Sequence, residues 1–125
     1  MILIIGLPNS GKTTLSSKYA NVIHYDDYMD GDKVIELMHE SEDEVVIEGI
    51  YNRRKGRARL LSVCPHGERK VCIWLETPVE ECLRRERAYR KRPDSIVLHH
   101  ARTFEEPTYD EGWDEIIIIK TDTDF

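Results

Sequence analysis

The stretch MILIIGLPNSGKTTL constrains this chain more than any other part of it. A short apolar, β-branched run, Ile2–Ile5, leads into Gly6-Leu-Pro-Asn-Ser-Gly11-Lys12-Thr13, which fits G-x-x-x-x-G-K-[ST]. Each part has a physical task. Gly6 and Gly11 allow backbone turns that a side chain would block. The intervening Pro8, Asn9 and Ser10 can then present successive N–H groups to one point, and such groups hold phosphate oxygens. Lys12 adds a cation for the outer phosphates, and the Thr13 hydroxyl is placed to ligate Mg²⁺, with Thr14 beside it. With glycine at roughly 7% of residues, the four fixed positions should coincide in a chain of this size on the order of once in a few hundred. A strand before the loop and a helix after it agree with the same reading.

Apolar runs alternate with helix-like segments along the rest of the chain. The strands are expected at Ile2–Ile5, Asn21–Tyr25, Val45–Glu48, Lys70–Leu75 and Glu115–Ile119. Ile2–Ile5, Val45–Ile47 and Ile116–Ile119 are continuously apolar, the pattern of strands covered on both faces. Helices are expected at Gly11–Tyr19, Asp32–His39, Arg53–Val63, Pro78–Arg90 and Asp94–Phe104. Thr77, Pro78 and Glu80 read as a capping box at the start of the fourth helix. The expected fold is a three-layer α/β sandwich, a parallel five-stranded sheet with helices on both faces, forming one domain over residues 1–125.

The net charge of −6 argues against a general nucleic-acid binder. Its distribution is uneven. Ten acidic residues and one lysine lie between Asp26 and Glu48, and 11 of the 18 basic residues fall in Arg53–Arg59 and Arg84–Arg92. Such patches suit a polyanionic substrate met at one face. No apolar run approaches the ~20 residues that span a bilayer, and the N-terminus lacks the pattern of a secretory signal. Cys64, Cys72 and Cys82 are widely spaced, as expected of reduced thiols in a cytoplasmic protein.

Ligands of an open parallel sheet lie beyond the carboxyl ends of its strands. The second strand ends in Asp26 and Asp27, the third in Glu48 and the fourth in Glu76. A nucleoside triphosphate needs Mg²⁺, and transfer to a hydroxyl needs a group to take the proton. Asp26 is the candidate base, Glu48 the candidate to hold Mg²⁺ through water, and Asp27 suits either role. In ECLRRERAYRKRP, arginines take over beyond Leu83. Arg85 and Arg90, with Arg92 third, are placed to neutralise charge during transfer.

The phosphate loop, Asp26-Asp27-Tyr28 and the arginine segment together resemble the P-loop kinases, in particular the polynucleotide 5′-hydroxyl kinases. FEEPTYDEGW (Phe104, Glu105 or Glu106, Pro107, Thr108, Glu111, Gly112) is similar to an element that such kinases place near the nucleotide base. The resemblance implies ATP and Mg²⁺ as cofactors and proton transfer to Asp26. It makes Lys12, Arg85 and Arg90 catalytic and places Arg53, Arg54, Lys55 and Arg57 on the acceptor backbone. It implies that the acceptor is the 5′-OH of DNA or RNA. VVIEGIY, with Glu48-Gly49 where polynucleotide kinases often carry aspartate, is similar instead to small-molecule kinases such as uridine kinase. The alternatives are therefore a kinase of a nucleoside, modified base or other small alcohol, and, last, a nucleotide-hydrolysing switch.

Overall fold

A computed structural model describes residues 1–41 and 44–121, so Glu42 and Asp43 of the acidic stretch lie outside the described residues. Five strands form one sheet: β1 (Ile2–Gly6), β2 (Val22–His24), β3 (Val46–Glu48), β4 (Val71–Glu76) and β5 (Glu115–Lys120). All pairs are parallel, in the order β2-β3-β1-β4-β5. Between them lie α1 (Lys12–Ser16), α2 (Tyr25–Tyr28), α3 (Gly31–Glu40), α4 (Arg54–Val63), α5 (Val79–Arg85) and α6 (Ser95–Thr103). A π-helical turn spans Glu86–Arg90 and a 3₁₀ turn Tyr109–Glu111.

Alternation along β1 divides the core. Leu3 and Ile5 face α3 and α4, packing with Ile47, Cys72, Trp74, Val34, Met38 and Leu60. Ile4 points the other way, to Val46, Ile73 and Leu75, with Leu15 of α1 against them. Val34 and Met38, four residues apart on α3, form its buried stripe. Trp74 stacks on Phe104, ring centroids 5.2 Å apart.

Several local expectations give way to tertiary contacts. β5 is an edge strand rather than one covered on both faces, and Ile118 is exposed. Thr77 does not cap α5: the helix begins at Val79 with Pro78 at its cap, and the Thr77 hydroxyl donates instead to the Ser10 carbonyl, 2.9 Å away. The expected fourth helix is divided, because Lys91 N–H bonds back to the Glu86 carbonyl and Lys91 takes a left-handed φ of 58°. α1 is short. Ser16 and Ser17 hydroxyls donate to the carbonyls of Thr13 and Thr14, competing with continued helix.

The topology sets the place of a site. The chain leaves β1 for β2 on one side and leaves β4 for β5 on the other. A crevice therefore opens beyond the carboxyl ends of β1 and β4. The loop after β1 lies there, tied to the end of β4 through Thr77 and Ser10. No described helix is long and apolar enough to cross a membrane.

Candidate active site: a phosphate cleft joined to a second cavity

The loop after β1 curls through left-handed turns at Asn9 (φ 68°) and Gly11 (φ 104°). Gly6 is required by close approach. A Cβ there would overlap the buried Ser10 hydroxyl and sit 3.0 Å from the Leu75 carbonyl. The N–H groups of Gly11, Lys12, Thr13 and Thr14 have no acceptor among the described residues. Ser10 Oγ is buried and unpartnered as well. These groups form one donor-rich concavity of the kind that holds phosphate.

A cleft of about 490 Å³ opens over this loop. Pro8, Asn9, Ser10, Gly11, Lys12, Thr13 and Thr14 form its floor. Asp26, Glu48, Arg85, Arg90, Arg92 and His100 also line it. Lys12 is 7% exposed, and its ammonium donates to the Leu7 carbonyl at 2.8 Å. Burial lowers its pKa from 10.5 to about 8, against the pull of the Glu48 and Asp26 charges. A cation held this dry interacts more strongly with an incoming anion than one in water.

Glu48 ends β3 and pairs in register with His24, which ends β2. Parallel neighbours in register send their side chains to the same face, and His24 Nδ1 lies 3.0 Å from Glu48 Oε2. Thr13 is exposed and lines the same cleft. The carboxylate and the hydroxyl fit the oxygen-donor chemistry of Mg²⁺. Asp27 does not line the cleft. It follows Asp26 in a helical turn, so the two side chains diverge.

The arginine segment divides into braces and a free end. Arg85, 6% exposed, donates from Nη1 to the Asn9 carbonyl at 2.8 Å and pairs with Glu81 at 3.1 Å. Glu86, fully buried, accepts from Asn9 Nδ2 at 3.1 Å and from Arg92 at 2.7 Å. The hydrogen-bonded Arg92 guanidinium holds the Glu86 carboxyl down at about 2. Arg90 carries no ion pair among the described residues and is exposed on the cleft wall. His24, Glu86 and His100 were not anticipated. A lone acid amid six bases was the signal for Glu86, and the Ile96–His100 spacing on α6 was the signal for His100.

A second cavity, about 620 Å³, adjoins the first and shares Asp26, Met29, Ile50 and His100 with it. Tyr25, Ile35, Tyr51 and Leu60 supply apolar walls, and Arg53, Lys55 and Arg59 the basic ones. Of the four bases expected on the acceptor, Arg53 and Lys55 line this cavity, and neither is ion-paired among the described residues. The other two are committed elsewhere. Arg54 pairs with Asp110 at 2.8 Å. Arg57 is fully buried in a two-point pair with Glu111 (2.8 and 3.2 Å) and also donates to the Tyr51 carbonyl at 2.8 Å. A guanidinium so enclosed cannot reach an acceptor.

Thr108–Glu111 forms a capping box, and Gly112 turns at φ 116°. Glu105 N–H bonds the Asn52 carbonyl at 2.6 Å. The FEEPTYDEGW element thus clamps the loop after β3, and none of its residues lines the phosphate cleft.

No family model and no curated protein matches the chain. Solved structures do. A gluconokinase from Sinorhizobium meliloti 1021 superposes with a TM-score of 0.70 at 17% identity, over 95% of this chain and 81% of that one. At this identity the likeness establishes the fold, a five-stranded parallel α/β sandwich shared with a kinase.

Proposed function

We propose that this protein is an ATP-dependent phosphotransferase that moves the γ-phosphate to a hydroxyl of a small molecule, with residues 1–125 acting as one kinase domain. One observation carries the reading: a donor-rich phosphate cleft and a second cavity meet at a single carboxylate, Asp26. A hydrolase needs only the first cavity. A transferase needs a second, with a proton acceptor where the two join.

The loop amides, Ser10 and Lys12 bind the phosphates. Asp26 takes the proton as the acceptor oxygen attacks the γ-phosphorus and the bond to the β–γ bridging oxygen breaks, its electron pair leaving with ADP. Arg90 is free to reach the transferring group, while Arg85 holds the loop through Asn9. Mg²⁺, when bound, neutralises charge on the phosphates, and Thr13 and Glu48, the latter oriented by His24, would hold it.

Arg53 and Lys55 give the second cavity a positive rim that suits an acceptor bearing an anionic group. The fold shared with a gluconokinase, an enzyme named for a sugar acid, supports a small acceptor over a nucleic-acid 5′ end. So does the loss of Arg54 and Arg57 to internal pairs.

The test is ATP labelled at the γ-phosphate with Mg²⁺ and a panel: sugar acids, free sugars, nucleosides, a 5′-OH oligonucleotide and buffer alone. Label on a small hydroxyl compound is expected. Label only on the oligonucleotide end would return the reading to the polynucleotide kinases, and free phosphate alone would reduce it to an NTPase. Asp26→Asn should lower turnover by roughly 10²–10⁴-fold, the range for a lost general base, with ATP binding retained. An unchanged rate removes Asp26 from the reaction.

A further inference from the structure

Two residues that line the second cavity, Tyr51 and His100, each carry a buried polar atom, Tyr51 Oη and His100 Nδ1, with no hydrogen-bond partner among the described residues. Buried tyrosine hydroxyls normally find a partner, and an unsatisfied buried polar atom calls for an explanation. Two on residues lining one cavity, on opposite segments of the chain, point to a ligand that completes them.

Tyr51 is held in place at some cost. It takes φ 39°, a left-handed backbone that a bulky side chain rarely adopts. Its carbonyl is fixed by the buried Arg57–Glu111 pair, and its ring lies edge-on to Tyr25 with centroids 5.7 Å apart. The ring also folds back over Gly49, where a Cβ would come within 2.8 Å of it. Strain maintained by this many contacts is typical of functional positions. His100 faces the same space from α6 and also lines the phosphate cleft, so it lies beside the junction where Asp26 stands. Burial and the neighbouring cations lower its pKa, which keeps the ring neutral at pH 7, able to accept at one nitrogen and donate at the other. Burial raises the Tyr51 pKa, so the phenol remains a donor.

We infer that Tyr51 and His100 read the acceptor by hydrogen-bonding a hydroxyl beside the one that is phosphorylated, so that the substrate class is polyhydroxylated compounds rather than isolated alcohols. The inference rests on the phosphotransfer reading above. Asp26 engages the reacting hydroxyl, and the Tyr51 and His100 atoms remain to be satisfied by a second one. An aromatic and aliphatic surround makes that hydrogen bonding selective, because a site built to bond an OH strongly rejects the analogue without it.

The experiment compares kcat/KM for ribose, adenosine and gluconic acid, each beside its singly deoxygenated analogues, with γ-labelled ATP. For the acceptor that is phosphorylated, removal of the neighbouring hydroxyl should cost about 100-fold or more in kcat/KM. Tyr51→Phe keeps the ring and its packing. It should lower kcat/KM for the parent acceptor about 10–100-fold and leave the deoxy analogue where it was, so that the discrimination collapses. His100→Leu should do likewise, and His100→Asn, which restores a polar atom near Nδ1, should recover part of the loss. Equal kcat/KM for parent and deoxy acceptors overturns the inference, as does a Tyr51→Phe variant that weakens both alike. Failure to label any acceptor overturns the phosphotransfer reading and takes this inference with it, whereas labelling without discrimination overturns this inference alone.

Discussion

Lys12 offers a test in which one proton acts in opposite directions on binding and on stability. Burial lowers its folded pKa from 10.5 to about 8. In the unfolded chain the ammonium keeps the higher value, so between pH 8 and 10.5 the unfolded state carries more protons and stability rises with pH. Below pH 8 both states are charged and the full penalty of burying the cation applies, about 3 kcal/mol at 1.36 kcal/mol per pH unit. Nucleotide binding runs the other way, because the loop needs the charged form. At its pKa about half of Lys12 is protonated and one pH unit above it only about a tenth, so affinity should fall about fivefold from pH 8 to 9. Lys12→Met supplies the reference, cancelling the other lysines, tyrosines and thiols that titrate in this range. Lys12→Arg keeps the charge and should bind with a flat profile. Calorimetric titration with ATP in two buffers of different ionisation heat should count close to one proton taken up at pH 9, and urea midpoints should give the stability difference. A wild-type affinity that stays level from pH 7 to 9.5 would refute the buried-cation account.

The buried Arg57–Glu111 pair gives a second outcome. Arg57→Met strands a buried carboxylate and should destabilise the protein by about 3–5 kcal/mol in urea unfolding, and adding Glu111→Leu should recover most of that. If the single and double variants are equally unstable, the pair is not the source of the loss. Glu86 predicts an acid response. Its folded pKa of about 2 lies below the usual 4.5, so its contribution is complete above pH 4.5 and disappears as the pH falls toward 2. Urea midpoints should therefore drop less between pH 6 and pH 3 for Glu86→Gln than for the native chain, and equal drops would exclude the Glu86–Arg92 contact as the cause.

The features legible in the sequence are those whose chemistry is local. The phosphate loop is written in consecutive residues, and β1, β3 and β5 in continuous apolar runs, so fold class and the floor of the cleft could be read directly. What was misread depends on partners distant in sequence. Thr77-Pro78-Val79-Glu80 looks like a helix cap until Ser10, 67 residues earlier, takes the hydroxyl. Arg57 looks like a surface base until Glu111, 54 residues later, encloses it. His24 was invisible because only the β2–β3 register places it beside Glu48. The orphaned atoms of Tyr51 and His100 carry no sequence signal at all, since lacking a partner is a property of the packed chain.

The same distinction bears on the choice between a polymeric and a small acceptor. Counted along the sequence, Arg53–Arg59 and Arg84–Arg92 are two basic tracts facing an acidic body, as a nucleic-acid strand would require. Folded, most of that charge is already answered: Arg54 by Asp110, Arg57 by Glu111, Arg59 by Asp32, Arg84 and Arg85 by Glu81, Arg87 by Asp94 and Arg92 by Glu86. Arg53, Lys55, Arg90 and Lys91 remain unpaired among the described residues, and the first three line the two joined cavities. Affinity for a polymer grows with the number of phosphates contacted. On the proposed reading, the two unpaired cations lining the second cavity, Arg53 and Lys55, would provide for one anionic group, while Arg90 lines the cleft over the loop. The arginine tracts therefore act mainly as internal braces, holding the phosphate loop through Arg85 and Glu86 and the Tyr51 loop through Arg57, and the charge left over matches a compact acceptor.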